Sequence, residues 1–359
     1  MALIQRIGSK LLKQTRHLGR DIGHLLGFDK KFYRDARGSR MVIYHGVCLQ
    51  DHTRFNPIFI KQKTLEKHFQ FYKKCFNVIS IDDFYQEKFS RDKFNICITF
   101  DDGYCDNFIN AKPLLEKYQC PATFFVATQF INQKHLFWWD ELQHIMLDAE
   151  ILPSVFSLVI DYELIEYFLE EDAILNEATR QKHRAWIAPD NPPTKRCELY
   201  LLVWSCLKPL PYAELKSTLD KIRSWAGSLN NLDHMSVPMS TVQLNDLVSH
   251  RLFDVGMHTV THASLPFHSA ETQSREIVNN RNALLKTGDH ARNILAYPYG
   301  DYGDTTLAVV KKEKLAAAFT TCGQTVTRRS DLFRLGRFQV MNWTGQDFER
   351  QLLDWFNPR

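Results

Sequence analysis

The stretch FNICITFDDG, residues 94–103, decides the fold and holds the strongest functional signal in this chain of 359 residues. Its short apolar half is rich in β-branched residues, which predicts a buried strand of the kind found in parallel α/β sheets. Asp101 and Asp102 would then stand at the carboxyl end of that strand, where such sheets place their chemistry. A solvated Asp-Asp-Gly turn is the alternative, since Asp and Gly are ordinary turn residues.

A second signal lies far along the chain, in VGMHTVTH, residues 255–262. It follows another short apolar segment and sets His258 and His262 four residues apart, a spacing that lets two imidazoles bind one ion. Two imidazoles and one carboxylate would make a metal site with open positions for water and substrate. We therefore predict that His258, His262 and one of the two adjacent aspartates bind a divalent metal ion.

These motifs resemble those of the polysaccharide deacetylases, carbohydrate esterase family 4. Residues 99–103 match the family's first motif, residues 258–262 match its second, H-[ST]-x-x-H, and residues 296–300 match part of its third. The family's third motif begins with an arginine, and Ala296 stands at that position here. The resemblance covers two blocks of the chain and implies an incomplete, seven-stranded (β/α) barrel.

The alternation of strand and helix patterns agrees with this fold, and we predict an α/β protein, an incomplete (β/α)7-type barrel with a helical insertion. We assign the barrel to residues 41–140 and 251–359. We assign the helical insertion, which includes an acidic stretch at residues 161–177, to residues 141–250. The insertion could form a wall or lid over the cleft, a structural appendage or a dimer contact, and the sequence leaves these alternatives open.

His45 follows the first predicted strand, MVIYH at residues 41–45. A histidine at a strand end is often a packed structural group. One branch of the family, however, carries its last motif, Leu-x-His, at the N-terminus through circular permutation, and residues 43–45 resemble that motif. This resemblance implies that His45 acts as the general acid, a role that histidine fills more often than any other residue.

The resemblance also implies how the two carboxylates differ. Asp102 binds the ion and Asp101 deprotonates the attacking water, because a metal-bound carboxylate has little basicity left. The ion and a backbone N–H near Tyr299 would stabilise the tetrahedral oxyanion. The ligand type favours Zn²⁺, although the same ligands suit Co²⁺, Ni²⁺ or Fe²⁺.

Two further residues are candidates at the site. Arg337, with Arg334 behind it, could orient Asp101 in place of the family's arginine, since groups around a metal site commonly hold its reacting side chains. The alternative for each arginine is a surface position on a strand. Trp139 could stack on a sugar ring, whereas tryptophans between a strand and a helix are often core residues.

The charge distribution of the chain indicates where the protein could act. Residues 1–40 hold ten Lys and Arg against three Asp, a net charge of +7, and residues 1–28 show a basic amphipathic helical pattern. Such a helix could lie on an anionic membrane surface or pack on the domain with a solvated basic face. Nucleic-acid binding is not expected, because no recognition motif accompanies the charge.

The eight cysteines include no CxxC pair and are expected to be reduced thiols, and neither a membrane span nor a secretory signal is recognisable. We therefore expect a cytoplasmic enzyme, peripheral on the inner face of the membrane if residues 1–28 bind lipid. The resemblance implies a metal-dependent hydrolase that removes an N-acetyl group from an amino sugar of a glycan, for example a lipid-linked precursor in lipopolysaccharide or capsule assembly. A deformylase, a phosphoesterase and a catalytically silent glycan-binding protein are the alternatives.

Overall fold

The computed structural model describes residues 39–49, 58–90, 92–187, 190–227, 237–327 and 329–354. The amphipathic segment predicted at residues 1–28 lies outside them, as does nearly all of the segment 1–40. No helix in the described part of the chain is both long enough and apolar enough to cross a bilayer.

A curled sheet of eight parallel strands forms the centre of the described structure. Within the described residues, the strands are β1 (Ser39–Tyr44), β2 (Val47–Cys48), β3 (Ile60–Lys61), β4 (Asn77–Val78), β5 (Asn95–Phe100), β6 (Ala122–Val126), β7 (Val155–Ile160), β8 (Glu163–Phe168), β9 (Phe253–Met257), β10 (Ala291–Ala296), β11 (Ala317–Phe319) and β12 (Phe338–Gln339). Seven run in the order β11, β10, β9, β6, β5, β1, β12, and β4 pairs with the start of β5. The predicted α/β fold and its incomplete barrel are therefore confirmed.

Helices connect the parallel strands, because parallel neighbours need long crossovers. The helices are α1 (Gln62–Cys75), α2 (Ile81–Tyr85), α3 (Lys112–Tyr118), α4 (Trp138–Gln143), α5 (Glu177–Ala185), α6 (Lys195–Leu207), α7 (Tyr212–Ala226), α8 (Thr241–Ser249), α9 (Ala270–Leu284), α10 (Asp304–Lys312) and α11 (Gly345–Asp354). All residues of β5 and β9 are buried, as expected for strands covered on both faces. This burial explains why the two motifs follow nearly unbroken apolar runs.

The segment after residue 334 links the two edges of the sheet. Leu335 forms a parallel bridge with Phe319 of β11, and β12, three residues further on, pairs with β1. Arg337 lies between these two contacts, and its side chain is fully buried. The closing segment of the barrel therefore carries a guanidinium group into the interior.

The insertion is not wholly helical. The helix predicted for the acidic stretch at residues 161–177 is wrong, because β8 pairs with β7 in an antiparallel hairpin and α5 begins only at Glu177. Phe156 and Ile160 of β7 are buried, whereas Val155 and Val159 are exposed. This alternation of buried and exposed positions has the period of a strand, and it determines the local structure more strongly than the acidic composition does.

The boundary predicted at residue 250 also differs from the structure. Met239, Leu244 and Leu247 lie in the apolar core of the barrel, and α8 packs on β9. A second apolar core fills the insertion and includes Tyr104, which follows the Asp101–Asp102 turn. The insertion therefore packs directly on the carboxyl ends of the barrel strands.

His68 of α1 is buried beneath α11, where its ring stacks on Phe348 with a centroid distance of 3.6 Å. Its Nε2 atom lies 2.7 Å from the carbonyl oxygen of Trp343, and its Nδ1 atom lies 3.2 Å from the hydroxyl of Tyr44. Burial lowers the pKa of His68 to about 3, against the raising effect of the hydrogen bond with Trp343. The folded protein therefore keeps this imidazole neutral at ordinary pH.

We expect this histidine to make the protein sensitive to acid. The unfolded chain protonates a histidine near its ordinary pKa of about 6.5, so stability should fall as the pH drops from there towards 3, by about 1.4 kcal/mol per pH unit from this group. His68→Gln should flatten that slope in urea unfolding measured between pH 7 and pH 4. His135→Gln, at an exposed position, should keep it. Equal slopes for wild type and His68→Gln would contradict the prediction.

Candidate active site

The side chains predicted at the site come together at the carboxyl ends of neighbouring strands. Asp101 and Asp102 follow β5, His258 follows β9, and His45 follows β1. Asp101, Asp102, His258 and His262 are all buried. In a parallel sheet the carboxyl ends of all strands lie on the same side of the molecule, which explains how residues far apart in sequence meet.

Asp102, His258 and His262 have the geometry of a ligand set. Asp102 Oδ1 lies 3.3 Å from the Nε2 atom of each histidine, and the three candidate ligand atoms lie within 4.8 Å of one another. Burial opposes ionisation of Asp102, but hydrogen bonds with both histidines outweigh it and hold the pKa of Asp102 well below its ordinary value. Burial lowers the pKa of His262 to about 4, so this imidazole is neutral at pH 7, the form that binds metal ions.

The surroundings of the imidazoles fit a metal ion. His258 Nδ1 lies 2.8 Å from the carbonyl oxygen of Ala296. In the neutral tautomer that donates there, Nε2 carries a lone pair that would bind a metal ion in place of the hydrogen bond to Asp102. His262 Nδ1 is buried and has no hydrogen-bond partner among the described residues. Two imidazole nitrogens and a carboxylate oxygen thus face one another, a donor set that a divalent cation would stabilise.

The backbone of the site adopts left-handed conformations. Asp102, Thr259, His262 and Tyr299 have φ values of 75°, 61°, 57° and 60°, a region that residues other than glycine seldom occupy. Gly103, with φ of 92°, completes the turn after Asp102 at a position where a side chain would add strain. Such conformations concentrate at active sites, where surrounding contacts must hold them.

The loop at residues 258–262 is supported by two residues of α9, neither of which belongs to a sequence motif. Glu276 accepts hydrogen bonds from the backbone N–H groups of Val260 and Thr261, both at 2.9 Å. Asn280 Oδ1 accepts from the backbone N–H of His258 at 3.1 Å. The two residues lie four apart on one face of the helix, and Asn280 is fully buried. In the sequence, Asn280 is a polar residue on the buried face of the helix, and this pattern could have identified it.

Arg337 contacts Asp101 from the segment that closes the sheet. Its Nη1 and Nη2 atoms donate to the two carboxylate oxygens, each at 2.7 Å, a bidentate geometry that fixes the carboxylate plane. Nη1 also donates to Thr99 Oγ1 at 3.1 Å, and Nε donates to the carbonyl oxygen of Thr320 at 3.2 Å. Burial opposes ionisation of Asp101, but Arg337 outweighs it and holds the pKa of Asp101 below its ordinary value. The contact predicted between Arg337 and Asp101 is present.

Arg334, the second candidate, does not reach the site. Its side chain is 48% exposed, and its Nε atom lies 3.7 Å from Asp331. Arg334 is therefore a surface arginine. Ala296, which stands where the family has an arginine, contributes its backbone carbonyl as the acceptor for His258.

The structure corrects the sugar-stacking role predicted for Trp139. The residue is 7% exposed, Phe137 stacks on its ring at a centroid distance of 4.8 Å, and the His262 ring lies 4.5 Å away. Its Nε1 atom donates to the hydroxyl of Tyr104 at 2.8 Å. Trp139 is therefore a core residue that packs against a candidate metal ligand, and too little of it is exposed to stack on a sugar.

Tyr299 lies in a short turn, Pro298–Gly300, that follows β10. Its ring centroid is 4.5 Å from that of His262. Burial raises the pKa of Tyr299, and the nearby charge of Asp102 adds to the effect. The hydroxyl therefore stays protonated, and the Tyr299 ring packs against a candidate metal ligand.

His45 stands beside the two aspartates, since β1 is the direct neighbour of β5. Burial lowers the pKa of His45, although the charges of Asp102 and Asp101 act in the opposite direction. Asn107 Nδ2 donates to the carbonyl oxygen of His45 at 2.6 Å and so fixes its backbone. The Nδ1 atom of His45 is buried and makes no hydrogen bond within the described structure.

Arg337→Met should destabilise the protein, because it leaves the buried Asp101 carboxylate without its cation. Breaking a buried pair from one side typically costs about 3–5 kcal/mol, and we expect a loss of that size in urea unfolding. The double variant Arg337→Met/Asp101→Asn should recover a large part of it, since neither charge then remains. Arg334→Met, an exposed change on the same segment, should alter stability by no more than about 0.5 kcal/mol. An Arg337→Met variant as stable as the wild type would contradict this account.

Comparison with known proteins adds independent observations. The family model described as polysaccharide deacetylase matches residues 89–151 and 211–318. YxkH of Bacillus subtilis, whose name places it among the polysaccharide deacetylases, is 50% identical over 67 residues. That match spans 19% of this chain and 23% of YxkH, so the chain is matched to less than a quarter of that relative.

Solved structures share the fold. A polysaccharide deacetylase from Bacillus cereus aligns with a TM-score of 0.52 at 15% sequence identity, over 89% of this chain and 69% of its own. IcaB from Ammonifex degensii aligns with a TM-score of 0.51 at 16% identity, over 89% of this chain and 97% of its own. At these identities the similarity concerns the fold.

Proposed function

This chain belongs to the polysaccharide deacetylase family, and on that premise we propose that it is a metal-dependent hydrolase that removes the N-acetyl group from an amino sugar of a glycan. The observation that carries the proposal is the convergence of Asp102, His258 and His262 beside Asp101, which Arg337 holds in place. A cation site next to an oriented, unligated carboxylate is what amide hydrolysis by water requires.

Asp102, His258 and His262 are the residues that would hold the divalent cation. When bound, the cation supplies Lewis-acid polarisation of the amide carbonyl and lowers the pKa of water. Two nitrogen donors and one oxygen donor favour Zn²⁺ and also suit Co²⁺, Ni²⁺ or Fe²⁺.

Asp101 takes the proton of the attacking water in this proposal. Arg337 fixes both carboxylate oxygens and keeps the group ionised, and each oxygen retains a lone pair that can accept a proton. His45 gives a proton to the departing amine. The backbone N–H of Tyr299 donates to the oxyanion in this proposal. The support is the contact of the Tyr299 ring with the His262 ring, at a centroid distance of 4.5 Å.

The position of β1 supports the permuted motif order in the proposal. Residues 43 and 44 end β1, His45 follows directly, and β1 pairs with β5 along its whole length. A motif near the beginning of the chain can thus stand next to Asp101 and Asp102. We include His45 on this ground, as the counterpart of a histidine that most family members carry late in the sequence.

The cellular setting is also part of the proposal. We suggest a lipid-linked glycan precursor in lipopolysaccharide or capsule assembly, met at the inner face of the membrane in the cytoplasm. The support is the basic amphipathic pattern of residues 1–28, because such segments bind anionic lipid surfaces. Acetate release from lipid-linked glycans, tested below, bears on this suggestion directly.

The proposed activity is tested with metal-loaded protein and a panel of free and lipid-linked N-acyl hexosamine glycans, with the released acid identified by mass spectrometry. We expect acetate and one new free amine for each acetate. Formate alone would indicate a deformylase, and inorganic phosphate from phosphorylated glycans would indicate a phosphoesterase. Glycan binding without any release would indicate a silent binding protein, and each of these three results contradicts the proposal.

Two substitutions separate the roles of the neighbouring aspartates. Asp101→Asn should keep the bound ion and lower kcat by at least about 100-fold, the usual contribution of a general base. Asp102→Ala should lose both the ion and turnover, as measured by mass spectrometry of the metal content and by acetate release. Asp289→Asn, at an exposed position, should change neither. An active Asp101→Asn enzyme would show that another group is the base.

A further inference from the structure

The segment FWWD, residues 137–140, has no role in the chemistry proposed above. It lies where the chain enters α4, and all four of its residues are buried. Buried indole and carboxylate groups need hydrogen-bond partners inside the protein. The partners of this segment lead to His262, one of the candidate metal ligands.

His262 differs from the other candidate histidine in how it is held. His258 Nδ1 lies 2.8 Å from the carbonyl oxygen of Ala296, whereas His262 Nδ1 is buried and has no hydrogen-bond partner among the described residues. A metal-binding histidine is usually oriented by a hydrogen bond from its second nitrogen. The backbone of His262 also has φ of 57°, in a region that surrounding contacts must hold. The orientation of this imidazole therefore has to come from packing.

One of the rings that pack on His262 belongs to Trp139, at a centroid distance of 4.5 Å. Phe137 stacks on the Trp139 ring with an interplanar angle of 11°. Trp139 Nε1 donates to the hydroxyl of Tyr104 at 2.8 Å, and that hydroxyl donates to Asp140 Oδ2 at 2.7 Å. All of these groups are buried, so little water competes for the two hydrogen bonds. Asp140 thus fixes Trp139 through Tyr104.

The second ring that packs on His262 belongs to Tyr299, also at a centroid distance of 4.5 Å. Its hydroxyl oxygen accepts a hydrogen bond from the indole of Trp138, and the ring of Trp204 lies edge-on to it at 5.7 Å. Trp138 and Trp139 are neighbours in α4. Consecutive residues of one segment therefore fix or supply the two rings that contact the imidazole.

We propose that Trp139 and Tyr299 are positioning residues that orient the His262 imidazole, and that the segment FWWD thereby sets the affinity of the site for a divalent cation. The inference rests on the metal site of the proposed function. The packing of two fixed rings takes the place of the hydrogen bond that His262 lacks. Because this segment lies in the apolar core of the insertion, the start of the insertion supports ion binding.

Tyr104→Phe tests the network with the smallest change, because it removes the hydroxyl that joins Trp139 to Asp140 and keeps the ring. We expect the affinity for Zn²⁺, measured by competition with a chromogenic chelator, to fall about 10–100-fold, the usual effect of losing a group that orients a metal ligand. Tyr72→Phe is the matched control, since it removes a buried hydroxyl that bonds to Tyr44 at 2.9 Å. It should leave the affinity unchanged. Equal affinities for wild type and Tyr104→Phe would overturn the proposal.

A pair of substitutions at Trp139 tests the ring itself. Trp139→Leu should weaken Zn²⁺ binding more than Trp139→Phe, which keeps an aromatic ring beside His262. The visible absorption bands of the Co²⁺-loaded protein report on ligand geometry, and they should change in Trp139→Leu and Tyr104→Phe but not in Tyr72→Phe. Urea unfolding of the metal-free proteins measures stability separately. Lower stability with an unchanged Co²⁺ spectrum and unchanged Zn²⁺ affinity would mean that the segment is only a part of the core, and would refute the proposal.

The orientation of His262 is also measured without any metal, by NMR of protein that carries ¹³C-labelled histidine. The His262 signal is identified by its absence in His262→Gln, and Tyr104→Phe should shift or broaden it. If it does so while no variant and no wild-type protein binds Zn²⁺, the positioning of His262 stands and the proposed function fails by itself. If Zn²⁺ binds and acetate is released, but Tyr104→Phe changes neither the signal nor the affinity, the positioning role is refuted and the proposed function stands.

Discussion

The buried ion pair between Arg337 and Asp101 is the contact on which the rest of the structure depends. Removing both charges from water is costly, and the close bidentate geometry has to offset that cost. Arg337 lies between the contact of Leu335 with β11 and the pairing of β12 with β1. One segment contacts both edge strands of the sheet, and it carries Arg337. The ion pair connects this segment with the end of the central strand β5. The same ion pair therefore helps to close the barrel and orients the proposed base.

Much of the site could be predicted from the sequence, because its motifs are local. Each motif lies at the carboxyl end of a buried apolar strand, the first at residues 99–103 and the second at residues 258–262. Parallel neighbouring strands bring these ends together. Arg337 could be named only as one of two candidates. It is separated from Asp101 by 236 positions, and only the topology of the sheet shows that it, and not Arg334, points inward.

Packing between distant elements could not be predicted in the same way. The acidic composition of residues 161–177 favours no particular structure, and the hairpin follows from the apolar residues that β7 buries. A tryptophan after a strand can contact a sugar or a histidine. Phe137 stacks on Trp139 and makes it a core residue, and the sequence does not show this contact.

The most direct test of the account is an X-ray structure of the protein crystallised with Zn²⁺, with data collected at the zinc absorption edge. The account predicts one anomalous peak bonded to a carboxylate oxygen of Asp102 and to the Nε2 atoms of His258 and His262, at about 2.0–2.2 Å from each. Asp101 should remain paired with Arg337 and outside the coordination sphere. A zinc ion bound elsewhere, or bound by Asp101 with Arg337 released, would contradict the account.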